Sequence, residues 1–430
     1  MQNIIFEERY EFVPPVDSDW WVFFLRFLLK GFLRKRYNIH TYDLRHVERI
    51  KKSIDEGHAV LIAPNHARIS DPIVMGLLTG EIDCNVMTMA SWHLFKEGWY
   101  QTFILRRLGA FSVYREGTDR QSVNCAIDTL VEGRRALVIF PEGAVSRHCD
   151  VLMDLMDGPG FIARQASKRR EKEGKKPVVV HPVAIRYSFD GDPYAEVAPD
   201  LERLERSFSW EPQTHLTTAK RLKKLGEAML AIKEVEYLGG VRQGDPYERV
   251  ERLALDLILE LEDKWGIKDR TPGLVSRVKN IRAAILPAMI EGKVSEAERA
   301  ERWRDLGKCY YAQQMAHYPR DYMVNGPNLP ERVLETVQRL EEDYTDVAPN
   351  HGPLHVTVDV GEPILVESKR DRSAKQDPAM VQVGEQLQTM IDALVAERTP
   401  VAEKPPEQPK PPVPMDEAAT VDAHAQPARS

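Results

Sequence analysis

The sequence predicts an α/β protein: a mixed sheet with flanking helices, interrupted by a helical insertion and preceded by an amphipathic N-terminal helix. Three observations carry this expectation. Short apolar runs bounded by turn residues alternate with helical patterns up to about residue 190. No convincing strand appears between residues 190 and 350. A run alternating apolar and polar residues then returns around residue 358.

The first element is the segment DWWVFFLRFLLKGFLRKR. A helix over residues 20–33 measures about 21 Å, short of the roughly 30 Å hydrocarbon core of a bilayer, and Arg26 and Lys30 interrupt it. Arg26, Lys30 and Arg34 recur every four residues and so share one face, while Trp, Phe and Leu fill the remainder. That pattern predicts a helix lying on a membrane, with rings at headgroup depth and cations towards anionic lipid. Residues 1–45 are therefore read as a membrane-interface segment touching lipid through residues 20–36. A helix packed on the core or on a partner is the competing reading. A signal peptide is disfavoured, because Glu7, Glu8 and Asp17 precede the apolar run and no small-residue cleavage site follows.

The strands come next. AVLIA (59–63), FSVY (111–114), ALVIF (136–140) and VVVHPVAI (178–185) read as buried strands, with helical patterns such as VNCAIDTLVEGRRA and GFIARQASKRR between them. These place the first part of an α/β domain over residues 46–195. In YERVERLALDLILELEDKW, Val250, Leu253, Leu257 and Leu261 recur at helical spacing, which assigns residues 196–350 to a helical insertion. LHVTVDVGEPILV (354–366) alternates as a half-buried strand does, and the helical pattern MVQVGEQLQTMIDALVAE follows it. A lone strand cannot form an independent sheet, so residues 351–397 are expected to close the same domain. The tail at 398–430 has seven prolines between 400 and 414 and is expected to be disordered or extended.

Composition limits what such a domain does. The formal net charge of -7 argues against a general nucleic-acid binder, which needs a basic face. The basic run at 168–176 reads as a solvated loop. Cys84, Cys125, Cys149 and Cys309 lie far apart with no CxxC pair, so neither a zinc knuckle nor a disulfide framework is expected. No HExxH or HxxxH spacing groups His66, Asp71, Glu142 and His181 as metal ligands, and His181, inside a strand run, reads as a core or edge histidine.

Open α/β sheets bind ligands beyond the carboxyl ends of their strands. After AVLIAP come Asn65 and His66, and five residues beyond the histidine stand Asp71 and Pro72. Within one helix that offset puts two side chains about 140° apart, so contact between them requires a loop. Proline favours the first helical position, which makes Asp71 a plausible N-cap beside His66. A buried carboxylate on one imidazole nitrogen fixes the tautomer and leaves the other nitrogen as a general base. After FSVY comes Arg115, suited to a phosphate or carboxylate through paired donors. After ALVIF comes PEGAVSR, where Gly143 allows close backbone approach and Glu142 offers a carboxylate. Each has a plainer reading: Asp71 as a cap, His66 as a loop histidine, Glu142 and Gly143 as a turn, Arg115 as a surface cation.

Taken together, NHARISD (65–71), GAFSVYR (109–115), FPEGAVSR (140–147) and VVHPVAI (179–185) resemble, in order and spacing, the motifs of the glycerolipid acyltransferase family, which includes the 1-acylglycerol-3-phosphate acyltransferases. The closing VTVDVGEPILV looks like that family's last strand. The resemblance covers about residues 50–190 and 350–397. It implies a glycerol-3-phosphate acyltransferase-like fold; with the N-terminal segment read as lying on a membrane and a reducing compartment the default for the scattered cysteines, the protein is expected on the cytoplasmic face of a membrane, peripherally attached. It implies transfer of a fatty acyl group from acyl-CoA or acyl carrier protein to a hydroxyl of lysophosphatidic acid or a related lysophospholipid, with no acyl-enzyme, no cofactor and no metal. His66 would be the base, Asp71 its orienter, and Arg115, Glu142, Gly143 and Arg147 the acceptor site, with Asn65, Arg68, Phe140 and Pro141 completing the motifs. Two departures stand out. Ala144 and Val145 follow FPEG where the family usually has a small hydroxyl residue and an arginine, so either Arg147 substitutes or the head group is placed differently, as in a lysophospholipid. Arg68 replaces a common serine, an added cation for the phosphates of thioester or acceptor. A noncatalytic lipid-binding scaffold acting through the insertion is the alternative function.

Overall fold

The computed structural model describes residues 5–117, 119–270, 273–315, 318–369 and 376–405. Its strands are β1 Ile39–Arg45, β2 Ala59–Pro64, β3 Val86–Ser91, β4 Ala110–Val113, β5 Ala136–Val138, β6 Val178–Ser188, β7 Leu354–Val360 and β8 Ile364–Leu365. They form one sheet in the order β1-β7-β6-β2-β5-β3-β4, with β8 beside β6. The run from β6 to β4 is parallel, whereas β7 pairs antiparallel with β6 and parallel with β1, so the sheet is mixed and open.

The helices are α1 Asp19–Tyr37, α2 Glu48–Asp55, α3 Asp71–Val74, α4 Trp99–Arg107, α5 Arg120–Glu132, α6 Gly158–Lys172, α7 Pro193–Ser207, α8 Thr218–Leu238, α9 Pro246–Trp265, α10 Leu274–Ile290, α11 Glu296–Met315, α12 Pro330–Thr345 and α13 Pro378–Ala396. The sheet is covered on both faces, which is why β2 is buried along its length. Its residues alternate between two cores: Val60 and Ile62 point to one, Leu61 and Ala63 to the other. The first core is shared with Leu33 of α1, Ile50 of α2, Val74 of α3, Leu201 of α7, Leu225 of α8 and Val333 of α12; the second with Leu130 of α5, Ile162 of α6 and Val383 of α13.

The chain between β6 and β7 divides by its packing. Helices α7, α8 and α12 join the sheet's core, whereas α9, α10 and α11 bury Leu253, Leu257, Leu261, Ile281, Ile285 and Leu306 in a second core, to which α8 also lends Leu230. The N-terminal boundary expected at residue 45 falls too late. Residues 39–45 are an edge strand of the sheet, overlooked because only Ile39 of IHTYDLR is buried. At the other end, Val401 pairs with Asn328, and the Glu403 carboxylate accepts from Thr218 N at 2.8 Å. Residues 401–405 are thus tied to the helical region by backbone and cap hydrogen bonds, while 406–430, most of the expected tail, lie outside the described residues.

Candidate active site

The carboxyl ends of β2, β4 and β5 bring the candidate residues together. Asn65 comes first after β2, where the main chain leaves the ladder. Its side chain replaces the lost backbone groups, Nδ2 donating to Ile185 O at 3.0 Å and Oδ1 accepting from Ile185 N at 2.7 Å. Next to it, His66 is held by its backbone. Its N–H donates to Glu142 Oε1 at 2.5 Å, and its carbonyl accepts from Ser146 N at 2.7 Å and Ser146 Oγ at 3.1 Å. The Phe140 ring lies 4.2 Å from the imidazole, centroid to centroid, and limits its rotation. Pro141 accepts from Met156 N at 2.9 Å and closes the loop beneath.

The imidazole Nδ1 meets Asp71 Oδ2 at 3.0 Å. Asp71 is fully buried, and its carboxylate also accepts from Arg68 N at 2.8 Å and from the Tyr187 hydroxyl. That hydroxyl is in turn 2.8 Å from Ser70 Oγ. Burial and the neighbouring Asp71 charge push the Tyr187 phenol well above its ordinary range, so it stays a donor. A buried carboxylate is tolerated when its oxygens are filled in this way. With Asp71 accepting the hydrogen bond from Nδ1–H, Nε2 presents its lone pair, and no hydrogen bond ties it to another described residue. Asp71 is the first residue of α3 rather than its N-cap. Its side chain reaches back to Arg68 instead of capping the turn ahead, so the proline falls one position further into the helix.

Several residues expected at the acceptor site are turned elsewhere. Glu142 is 1% exposed, with Oε1 on His66 N and Oε2 on Met153 N at 3.2 Å, so it braces the histidine loop and faces no ligand. Burial raises its pKa to about 7. Gly143 has φ 69°, the left-handed turn it was expected to supply, but the room a side chain would take is filled by the Met156 thioether, with Val275 of α10 beside it. Its carbonyl accepts from Arg115 Nη2. Arg147 pairs with Glu342 of α12. Arg68 lies over the Tyr187 ring, 4.9 Å from its centroid, with Nη1 3.3 Å from Gln338 and Nη2 3.5 Å from Glu335, both on α12. Neither Arg68 nor Arg147 is free to meet a phosphate in this arrangement, because α12 supplies carboxylates to both. Arg115 alone of the three arginines makes no ion pair among the described residues.

Two residues of the site escaped the sequence reading. Tyr187 lies two residues beyond the apolar run at 178–185, and only the need of a buried phenol for a partner hints at its role. Ser146, displaced two positions from the usual hydroxyl, holds the His66 carbonyl. His181 is buried in the core as expected, between Ser53 Oγ at 2.9 Å and Gly361 O at 3.1 Å. No cluster of three or more histidine, cysteine or acidic side chains suited to a metal occurs among the described residues. A cavity of about 640 Å³ lined by His40, Phe189, Asp192 and Pro353 lies at the β6–β7 end and does not include His66; the dyad's chemistry, not cavity size, marks the site.

Residues 42–186 match the family model described as Acyltransferase. Over 118 residues the chain is 32% identical to a 1-acyl-sn-glycerol-3-phosphate acyltransferase of Streptococcus pneumoniae (strain ATCC BAA-255 / R6). The match takes in 27% of this chain and 40% of that protein, so the chain spans less than half the length of the curated relative it matches.

Proposed function

We propose, from the premise that residues 42–186 form a domain of the glycerolipid acyltransferase family, that this protein moves a fatty acyl group from a thioester to a hydroxyl of lysophosphatidic acid or a related lysophospholipid. The observation that carries the proposal is the His66–Asp71 contact at 3.0 Å, with Asp71 fixed by Tyr187 and Arg68 N and with Nε2 left free.

His66 Nε2 takes the proton of the acceptor hydroxyl as its oxygen attacks the thioester carbonyl. Asp71 stabilises the imidazolium that forms, and the proton then passes to the departing thiolate of CoA or acyl carrier protein. General base action of this kind contributes typically 10²- to 10⁴-fold. No cofactor is required by these steps. Arg115, one hydrogen bond from the Gly143 turn, is the cation placed to meet the acceptor.

The membrane is the proposed source of acceptor, and α1 the proposed contact. Trp20, Phe23, Phe24, Phe27, Leu28 and Phe32 are exposed along one side of α1, while Val22, Leu29 and Leu33 dock on the core. The expected cations Arg26, Lys30 and Arg34 are exposed as well. Arg26 also lies against Gly80 and Lys30 over the Tyr42 ring, 5.0 Å from its centroid, so two of the three touch the protein at the flank of the aromatic side. No described helix is long and apolar enough to cross a membrane. A peripheral position on the cytoplasmic face is the proposed placement, and the exposed rings of α1 support its peripheral part.

The test is product identification. Purified protein in detergent, given oleoyl-CoA or oleoyl acyl carrier protein with lysophosphatidic acid, glycerol 3-phosphate or lysophosphatidylcholine, should form one diacyl or monoacyl product detectable by mass spectrometry. Thioester hydrolysis without acylation of any acceptor would count against the proposal.

A further inference from the structure

The cations near the dyad fall into two sets. Arg68 and Arg147 are engaged by carboxylates of α12. On the opposite flank, Arg115 faces α10, and there the charges are not balanced. Val275, Lys279 and Arg282 stand at i, i+4 and i+7 on α10 and therefore share one face. Val275 Cγ1 lies 3.7 Å from where a Cβ on Gly143 would be, which seats that face against the turn whose carbonyl holds Arg115.

Arg282 is 4% exposed, yet its Nε and Nη2 have no hydrogen-bond partner, and no carboxylate lies within ion-pair distance of it among the described residues. An arginine does not shed its proton in a protein, and a buried charge without a partner is strongly destabilising. The positive charge of Arg282 adds to burial in lowering the pKa of Arg115, and that of Arg115 does the same to Lys279. The nearby acids do not offset three cations. Glu116, pushed up by burial although Arg115 and Arg282 oppose the shift, brings one carboxyl among the three, and Asp119 spends its oxygens on Tyr114 N and Ser122 N. Buried, unpaired guanidinium nitrogens beside a second arginine and a lysine are what an anion site looks like before its anion arrives.

We infer that Arg282 and Lys279 of α10 complete, with Arg115, a binding site for a phosphate monoester, and that this phosphate is the head group of the acyl acceptor. The inference rests on the acyl-transfer reading for the word acceptor; the site itself rests on the buried, unpaired guanidinium of Arg282 and on the packing of its helix face against the Gly143 turn. It gives the helical segment a specificity role: α12 closes one flank of the dyad to anions and α10 opens the other. It also accounts for an acceptor phosphate where Ala144 and Val145 leave FPEG without its usual arginine.

The experiment is ligand-dependent melting of the full chain in detergent, with glycerol 3-phosphate, inorganic phosphate, glycerol and CoA, for the native protein, Arg282→Met and Lys279→Gln. In the native protein, glycerol 3-phosphate and phosphate should raise the melting temperature saturably and glycerol should not. Arg282→Met should melt, without ligand, at or above the native temperature, because an unpaired buried charge gives way to apolar volume. It should bind glycerol 3-phosphate about 10- to 100-fold more weakly, the worth of a charge-assisted hydrogen bond, and respond to CoA as before. Absence of a shift with glycerol 3-phosphate in the native protein, or a shift kept in Arg282→Met, would overturn the site. Loss of the CoA response alone would move the phosphate to the thioester and overturn the acceptor assignment. Should Arg282→Met not fold, Lys279→Gln decides: several-fold weaker glycerol 3-phosphate binding supports the site and unchanged binding removes it. Phosphate protection with no acylated product from any acceptor would support the site and remove the acyl-transfer reading instead.

Discussion

In the proposed role of base, His66 depends on the residues that fix Asp71 behind it. Asp71 is held by three donors, and one of them, the Tyr187 hydroxyl, comes from the carboxyl end of the neighbouring strand β6. Tyr187→Phe removes that donor without removing the ring. The expected result is a stability loss of about 1–3 kcal/mol, as for an unpaired buried acceptor, and a kcat about tenfold lower with KM unchanged, read from urea melts and steady-state kinetics. Glu142 acts on the same loop through the His66 amide, and burial sets its pKa at about 7 against an ordinary value of 4.5. A carboxyl whose folded pKa is raised favours the folded state fully below about pH 4.5, and this contribution is lost as pH rises through 7. Unfolding free energy should therefore fall with pH across that window, at up to about 1.4 kcal/mol per pH unit, and Glu142→Gln should flatten the slope.

At the scale of elements, the informative comparison is between α12 and α1. Both carry charged residues, and their partners decide what those charges do. On α12, Glu331, Glu335, Gln338 and Glu342 reach Arg186, Arg68 and Arg147, so the helix is fastened over the dyad by ion pairs. On α1, Arg26 and Lys30 touch the protein at the flank of the helix yet stay exposed, and rings fill most of the outer side; α4 extends it, because Trp21 meets Phe103 edge-on at 5.5 Å and Trp99 and Tyr100 are exposed beside it. Ring burial depends on apolar area and is little affected by salt. Sedimentation with phosphatidylcholine vesicles should thus persist at high salt and drop several-fold in Phe23→Ser/Phe27→Ser. Binding that needs anionic lipid and disappears with salt would place the contact elsewhere.

Across the whole molecule, what the sequence made legible follows from burial. The strands buried on both faces, β2, β5 and β6, read as unbroken apolar runs and were located within a few residues. Edge strand β1 and the half-buried β3, VMTMAS, were not read, because exposure removes the apolar signal on which a strand assignment depends. The dyad was legible because both members sit just beyond β2, close in sequence. The phosphate set was only partly so: Arg115 follows a strand, but the engagement of Arg68 and Arg147 and the unpaired state of Arg282 depend on α10 and α12, more than a hundred residues away in the chain. Local patterns carry no information about such docking.

All of this turns on one claim, that the free nitrogen of His66 draws the proton from an acceptor hydroxyl. The measurement that tests it most directly is acceptor-dependent thiol release from oleoyl-CoA by the native protein and by His66→Ala, with Asp71→Asn as a third arm, after circular dichroism has established that all three are folded. The account predicts release that depends on the phosphate-bearing acceptor in the native protein, its loss by at least about 10²-fold in His66→Ala, and an intermediate loss in Asp71→Asn. Folded His66→Ala that released thiol at the native rate would contradict it.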